Sequence, residues 1–208
     1  MTVLVLGTIV TSWAAGVSCR GLTFDGRHLY FLDSTNDQIR KYTKAGVLIN
    51  SWATPSDNGT GLAFDGRNIW YGDPTTDLLY CLKIDGFGLR VVGSWPAVNC
   101  YGLTFNGKQL IMGRTGALLL DIYNVPPGPV IQQITYPVGW QIWDMAFDGK
   151  HVWECDRAGN LVRCLATFPT AEMVGSFAFL TLPNGLTFDG KYLWVSTTTG
   201  TVSCIEVN

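Results

Sequence analysis

The chain has 208 residues, a formal net charge of −2 and a charged fraction of only 14 %. That length suits a single domain, 1–208. The charge balance offers nucleic acid no basic patch, and no run of about 20 apolar residues offers a membrane-inserted span. Thr, Ser, Asn and Gly must cover much of the surface, and such charge depletion fits a protein that lies against partners in an assembly.

The opening MTVLVLGTIVTSWAA has the apolar character of a leader but lacks a basic start. Its alternation and its Ser12-Trp13 ending read as a strand, so no signal peptide is expected. The location expected is the cytoplasm or a particle such as a virion. From Gly21 a motif begins that recurs five times: GLTFDGRHLY, GLAFDGRNIW from Gly61, GLTFNGKQLI from Gly102, DMAFDGKHVW from Asp144 and GLTFDGKYLW from Gly185. The phenylalanines Phe24, Phe64, Phe105, Phe147 and Phe188 keep a period near 41, which marks a repeat architecture.

Within each repeat the first strand alternates large and small residues, Leu22 and Phe24 against Gly21 and Thr23 in the first copy. Asp-Gly, or Asn106-Gly107 in the third copy, predicts a two-residue type I′ hairpin. A second strand follows, with Tyr30, Trp70, Ile111, Trp153 and Trp194 six residues after each Phe. A polar turn leads to a third strand, and a fourth ends in Ser51-Trp52, Ser94-Trp95, Thr135-Tyr136 or Ser176-Phe177. The fifth copy stops before its fourth strand, and Thr8–Trp13 supplies the missing one. Segment 3–13 is therefore expected to pair with 202–207. The prediction is an all-β, five-bladed β-propeller of four antiparallel strands per blade, closed by the N-terminal strand. Its blades span about 20–54, 60–97, 101–138, 143–179 and 184–207 plus 3–13.

The six cysteines read as buried thiols without a zinc spacing. Cys155 and Cys164 are the one pair close enough in sequence to test for a bridge. Asp33-Ser34-Thr35-Asn36-Asp37 lacks the Gly and distal Glu of a calcium loop. No metal and no cofactor is implied.

In this fold the Asp-Gly turns share one end. The other end gathers the loops entering each first strand and those joining second to third strands, and by analogy with propellers generally it is the binding end. Departures from the repeat are concentrated there. Asp144 stands where four blades have Gly, and the preceding residues form a mixed ring of Arg20, Thr60, Tyr101, Trp143 and Asn184. Glu154 stands where the others have Phe31, Tyr71, Met112 and Val195, with Trp140, Asp156 and Arg157 in the same blade. Asp144 with Arg20, Tyr101 and Trp143 reads either as a polar-aromatic pocket for a sugar or peptide side chain, or as an Asp144–Arg20 ion pair with Trp143 plugging the channel. Asp33, Asn36, Asp73, Asp77 and Arg114 are further polar candidates, the Asp and Asn residues being common turn formers.

The repeat "GLTFDGxxLW" resembles the NHL/YVTN-like propeller group, and the blade count is similar to that of tachylectin-type lectins. Streptogramin lyases within that group imply a histidine and a metal near the channel, but His28 and His151 both follow Asp-Gly turns at the opposite end. Glutaminyl cyclotransferases, similar in blade count, imply a channel glutamate, for which Glu154 is the candidate. Catalytic motifs such as GxSxG, HExxH and a P-loop are absent from the sequence. The expected function is non-catalytic recognition or structure, binding a protein assembly or a surface glycan, for example as a phage tail or capsid accessory subunit. The alternative is a hydrolase, lyase or cyclotransferase with Asp144 or Glu154 as general base.

Overall fold

The computed structural model describes residues 7–86, 88–125, 128–166, 171–179 and 181–207. Among them twenty strands build five four-stranded antiparallel sheets, and no helix occurs. Strand β1 (Thr8–Ala14) precedes blade 1, which comprises β2 (Cys19–Phe24), β3 (Leu29–Asp33), β4 (Gln38–Tyr42) and β5 (Leu48–Ala53). Blade 2 holds β6 (Gly61–Phe64), β7 (Ile69–Asp73), β8 (Leu78–Asp85) and β9 (Gly88–Pro96). Blade 3 holds β10 (Cys100–Phe105), β11 (Gln109–Arg114), β12 (Leu119–Asn124) and β13 (Val130–Thr135). Blade 4 holds β14 (Ile142–Phe147), β15 (His151–Asp156), β16 (Leu161–Ala166) and β17 (Met173–Ala178). Blade 5 holds β18 (Pro183–Phe188), β19 (Leu193–Thr197) and β20 (Thr201–Glu206), and β1 completes it in the order β1-β20-β19-β18.

The expected closure is therefore present, with Thr8 opposite Glu206 and Ala14 opposite Thr201; residues 3–6 lie outside the described residues. Trp13 of the closing strand stacks on Tyr42 of blade 1 at 5.1 Å, and Lys44 of blade 1 bonds Asp189 of blade 5 at 2.7 Å. The innermost strands β2, β6, β10, β14 and β18 touch one another in a closed cycle. The fold is a five-bladed β-propeller.

The core is five layers, each between two neighbouring blades. Leu22, Leu29 and Phe31 of blade 1 pack on Trp194, Val202 and Cys204 of blade 5, while Tyr30, Leu32 and Ile39 pack on Leu62, Ile69 and Tyr71 of blade 2. Alternation along each first strand sends a large side chain such as Leu22 or Leu62 toward the preceding blade and a small one such as Gly21 or Ala63 toward the next. The small side must be very small near the axis: a Cβ on Gly21 would lie 2.6 Å from the Thr60 carbonyl oxygen.

Two local expectations are corrected. The Asp-Gly turns are not type I′. Asp25 N–H bonds the His28 carbonyl, and of the two central residues only Gly26 has positive φ (+92°), whereas a type I′ turn needs it at both. The aspartate precedes the turn and braces it. Asp25 Oδ1 accepts from the Arg27 and His28 amides, and Oδ2 accepts from the Tyr30 hydroxyl at 2.9 Å. Asp65, Asp148 and Asp189 do the same, with Trp70, Trp153 and Trp194 donating Nε1–H. Second, Ile134, not Tyr136, occupies the fourth-strand aromatic place in blade 3. Leu120 pairs with Ile134 as Ile39 pairs with Trp52 and Leu79 with Trp95.

All six cysteines are free and buried. Burial pushes the Cys19 and Cys164 thiols up to about 12 and those of Cys81 and Cys204 to about 11, which disfavours the thiolate. Cys155 and Cys164 are not bridged; Cys155 faces Val162 and Cys164 faces Trp153 across the hairpin.

Candidate functional site

The entry to the first strand is irregular in blades 1, 3, 4 and 5. Bulges fall at Arg20/Leu22, Cys100/Leu103, Ile142/Asp144 and Pro183/Gly185. A bulge re-aims the side chain it carries, and these bear the ring residues Tyr101, Trp143 and Asn184, with Arg20 flanking the first. Two ring residues tie blades together. Thr60 donates its hydroxyl to the Cys100 and Tyr101 carbonyls, and Asn184 Nδ2 donates to the Cys19 carbonyl at 2.9 Å.

Asp144 fills the axis. Its Oδ2 accepts from Leu22 N–H and Leu186 N–H, both at 2.8 Å, and Oδ1 accepts from Leu103 N–H at 3.3 Å. One side chain of blade 4 thus gathers amides from blades 1, 5 and 3. Burial drives its carboxyl well above the ordinary range, and these amides with that of Met145 pull the other way. Every partner is a donor, so the cage is built for a carboxylate. Of the two alternatives that the sequence leaves open, the Asp144–Arg20 ion pair is not formed, because both Asp144 oxygens are taken by amides. Below Asp144, toward the Asp-Gly end, lies a cavity of about 90 Å³ lined by Thr23, Ala63, Thr104 and Thr187 among others.

Above it lie Tyr101, Trp143, Arg157 and Arg20, each half-buried. Tyr101 meets Trp143 edge-on at 5.4 Å, and the Arg157 guanidinium covers the Trp143 ring at 4.8 Å. Trp143 Nε1 is buried with no acceptor among the described residues. Burial and then the nearby charge of Arg157 lower the pKa of Arg20, against a weaker opposing pull from Asp37.

Glu154, Asp156 and Trp140 belong elsewhere, to a cluster between blades 3 and 4. Arg163, not singled out from the sequence, organises it. Its Nη1 donates to Glu154 Oε1 at 2.6 Å, its Nη2 donates to Asp156 Oδ2, and its guanidinium lies 4.3 Å over the Trp140 ring. Glu154 is fully buried, and its Oε2 has no donor among the described residues. Burial pushes Glu154 up to about 7 against the pull of Arg163. Tyr136 and Trp140 also line an open cleft of about 900 Å³ with Gln133, Ala171 and Met173.

The signal that reveals Arg163 is a seven-residue spacing. Asp156–Arg163 repeats Asp33–Arg40, an ion pair of 2.6 Å, and Arg114–Asp121 is the same pair with its charges exchanged. The other sequence candidates serve turns: Asp33 accepts from the Thr35 and Asn36 amides, Asp73 from those of Thr75 and Thr76, and Asp77 from that of Asn99.

No protein-family model matches the chain, and no curated protein is similar to it in sequence. Solved structures are similar in fold. Glutaminyl cyclase of Myxococcus xanthus superposes with a TM-score of 0.83 over 97 % of this chain and 96 % of its own, at 13 % identity. Virginiamycin B lyase of Staphylococcus aureus gives 0.57 over 87 % and 77 %, also at 13 % identity. A propeller in a nidogen/laminin complex gives 0.58 over 86 % and 72 %, at 19 %. Enzymes and protein-binding propellers thus share this architecture, and at such identities the likeness is one of fold.

Proposed function

We propose that this propeller is a non-catalytic recognition module that presents its channel mouth, Arg20, Tyr101, Trp143 and Arg157, to a partner in a protein assembly. The reading rests on one observation: both acids that could serve as a base at the mouth are occupied elsewhere. Asp144 is held by backbone amides from four strands, and Glu154 is buried on Arg163 between blades. What is left at the mouth is Arg, Tyr and Trp, the residue types that dominate binding hot spots.

The outer rim supports the assembly part of the reading. Each outermost strand exposes two adjacent apolar residues at one repeat position: Ile9-Val10, Leu48-Ile49, Val91-Val92, Val130-Ile131 and Met173-Val174. Exposed apolar surface of this regularity fits contact with other proteins, as in a tail or capsid accessory subunit. The test is cofractionation of the protein with a purified particle, alongside a glycan array. A protein that remains a lone monomer and is silent in both experiments overturns the reading.

A cyclotransferase-type enzyme is the second reading, favoured by Glu154, whose raised carboxyl carries a free oxygen near the Tyr136–Trp140 cleft. Glutaminyl substrates turned over by the native protein and not by Glu154→Gln would establish it. Turnover retained in both Glu154→Gln and Asp144→Asn would remove these acids from any such role.

A further inference from the structure

Buried and half-buried arginines at this end of the propeller follow a rule, and two break it. Arg40 sits on Asp33 at 2.6 Å, Arg114 on Asp121 at 3.4 Å, and Arg163 on Glu154 and Asp156. Arg20 and Arg157 have no carboxylate within ion-pair distance among the described residues. Arg20 belongs to the ring of residues at the entry to the first strands, and Arg157 lies 4.8 Å over Trp143 of that same ring, so blades 1 and 4 each bring one cation to the channel mouth, and the charge of Arg157 helps lower the pKa of Arg20. The acid directly beneath them, Asp144, is turned inward and spent on amides. Asp37 pulls Arg20 the other way and does not offset burial and Arg157. Two partly desolvated like charges repel, and leaving them unpaired costs stability that a bound anion would recover.

We infer that the channel mouth is an acidic-peptide site, in which a Glu or Asp carboxylate of a protein partner bridges Arg20 and Arg157 while its neighbours lie on Trp143 and Tyr101. This rests on the reading of the mouth as a recognition surface. Guanidinium groups pair with carboxylates through two parallel hydrogen bonds, which fixes orientation as well as charge. Trp143 is already held from the side by Tyr101 and from above by Arg157, so the arginine is positioned before the ligand arrives. A protein source is favoured over an acidic sugar because the four residues are hot-spot types and because a mouth of two cations steers an acidic surface into place.

The experiment titrates a penta-glutamate peptide into the intact protein at low ionic strength, following heat and the indole N–H resonance of Trp143. The expected result is saturable binding that moves this resonance, weakens with added salt, and falls at least about tenfold in Arg20→Gln and in Arg157→Gln. Arg67→Gln, at the Asp-Gly end, is expected to bind as the native protein does. Near-ultraviolet circular dichroism verifies that each variant is folded. Equal binding by the Arg20→Gln/Arg157→Gln double variant, or no binding at millimolar peptide, overturns the inference. Glucuronic acid binding at the mouth more tightly than the peptide also overturns it, in favour of an acidic glycan. If a particle retains the double variant as well as the native protein, the recognition reading stands and the acidic-peptide inference falls.

Discussion

Asp144 stands where four blades carry glycine, and the substitution converts a packing position into a hub. Without it, first-strand amides from blades 1, 3 and 5 would face the bore with no acceptor. Asp144→Asn keeps the shape but turns an N–H₂ group toward N–H donors. It is expected to cost about 3 kcal/mol, read as a lowered denaturant midpoint; an unchanged midpoint would show that the amides do not need the charge. The exchanged pair Arg114–Asp121 makes a second residue-scale prediction. Each single change, Arg114→Asp or Asp121→Arg, sets like charges together and is expected to destabilise by about 1–3 kcal/mol. The double variant restores the polarity of Asp33–Arg40, and its stability should exceed the sum of the singles in a double-mutant cycle.

A third prediction concerns pH. The carboxyl of Glu154 is raised by burial from 4.5 to about 7 in the fold. The folded state therefore holds a proton that the unfolded chain releases, and this contribution is full below about 4.5 and is lost as pH rises through 7. For Asp25, Asp148 and Asp189 burial acts upward, but hydrogen bonds outweigh it and lower their carboxyls, from nearby amides and side-chain donors at Asp25 and Asp148 and from Lys44, Trp194 and amides at Asp189. Their contribution is present above the unfolded value near 3.8 and is lost as pH falls through the lowered folded values. Melting temperature measured from pH 4 to 8 should decline toward the alkaline side, and Glu154→Gln should flatten that decline. A slope unchanged by the substitution would assign it to another group.

At the scale of the element, what repeats was legible and what is unique was not. The Asp-Gly turn and the aromatic six residues after each Phe recur because one carboxylate braces the turn and accepts the aromatic N–H or O–H. Blade 3 varies both together. Ile111 donates nothing, and Asn106 replaces an aspartate whose second oxygen would lack a partner there. The turn class is not legible from Asp-Gly alone, because the pair suits I′ and only the absence of a second positive φ beside the glycine excludes it. Tyr136 was misplaced by two residues because Thr135-Tyr136 imitates the Ser-Trp ending, whereas the register is set by Leu120 and Ile134. The mouth residues were named as one group, but Glu154, Asp156 and Trp140 belong to a cluster whose centre, Arg163, was overlooked despite its spacing from Asp156. The role of Asp144 was hidden for a firmer reason. Its partners lie 41, 42 and 122 residues away and are backbone amides, which leave no mark in the side-chain sequence.

For the molecule as a whole, stability depends on closure, since each core layer is shared by two blades. Deleting residues 1–14 removes the stack of Trp13 on Tyr42 and bares the edge of β20. An exposed edge pairs with other chains. The truncated protein is expected to lose its single cooperative melt and to self-associate with rising concentration, as followed by light scattering. A monomeric, cooperatively melting truncation would mean that four and three-quarter blades suffice.

Five near-copies of one motif do not by themselves dictate how many are strung together before the circle shuts. The lone aspartate adds a constraint that the copies lack. Its carboxylate reaches amides of three other blades across the bore, and a sixth module would widen the ring and lengthen every one of those reaches for a short side chain. Asp144 therefore acts as a gauge of circumference, tying the tally of repeats in the gene to the radius that one short acid can span.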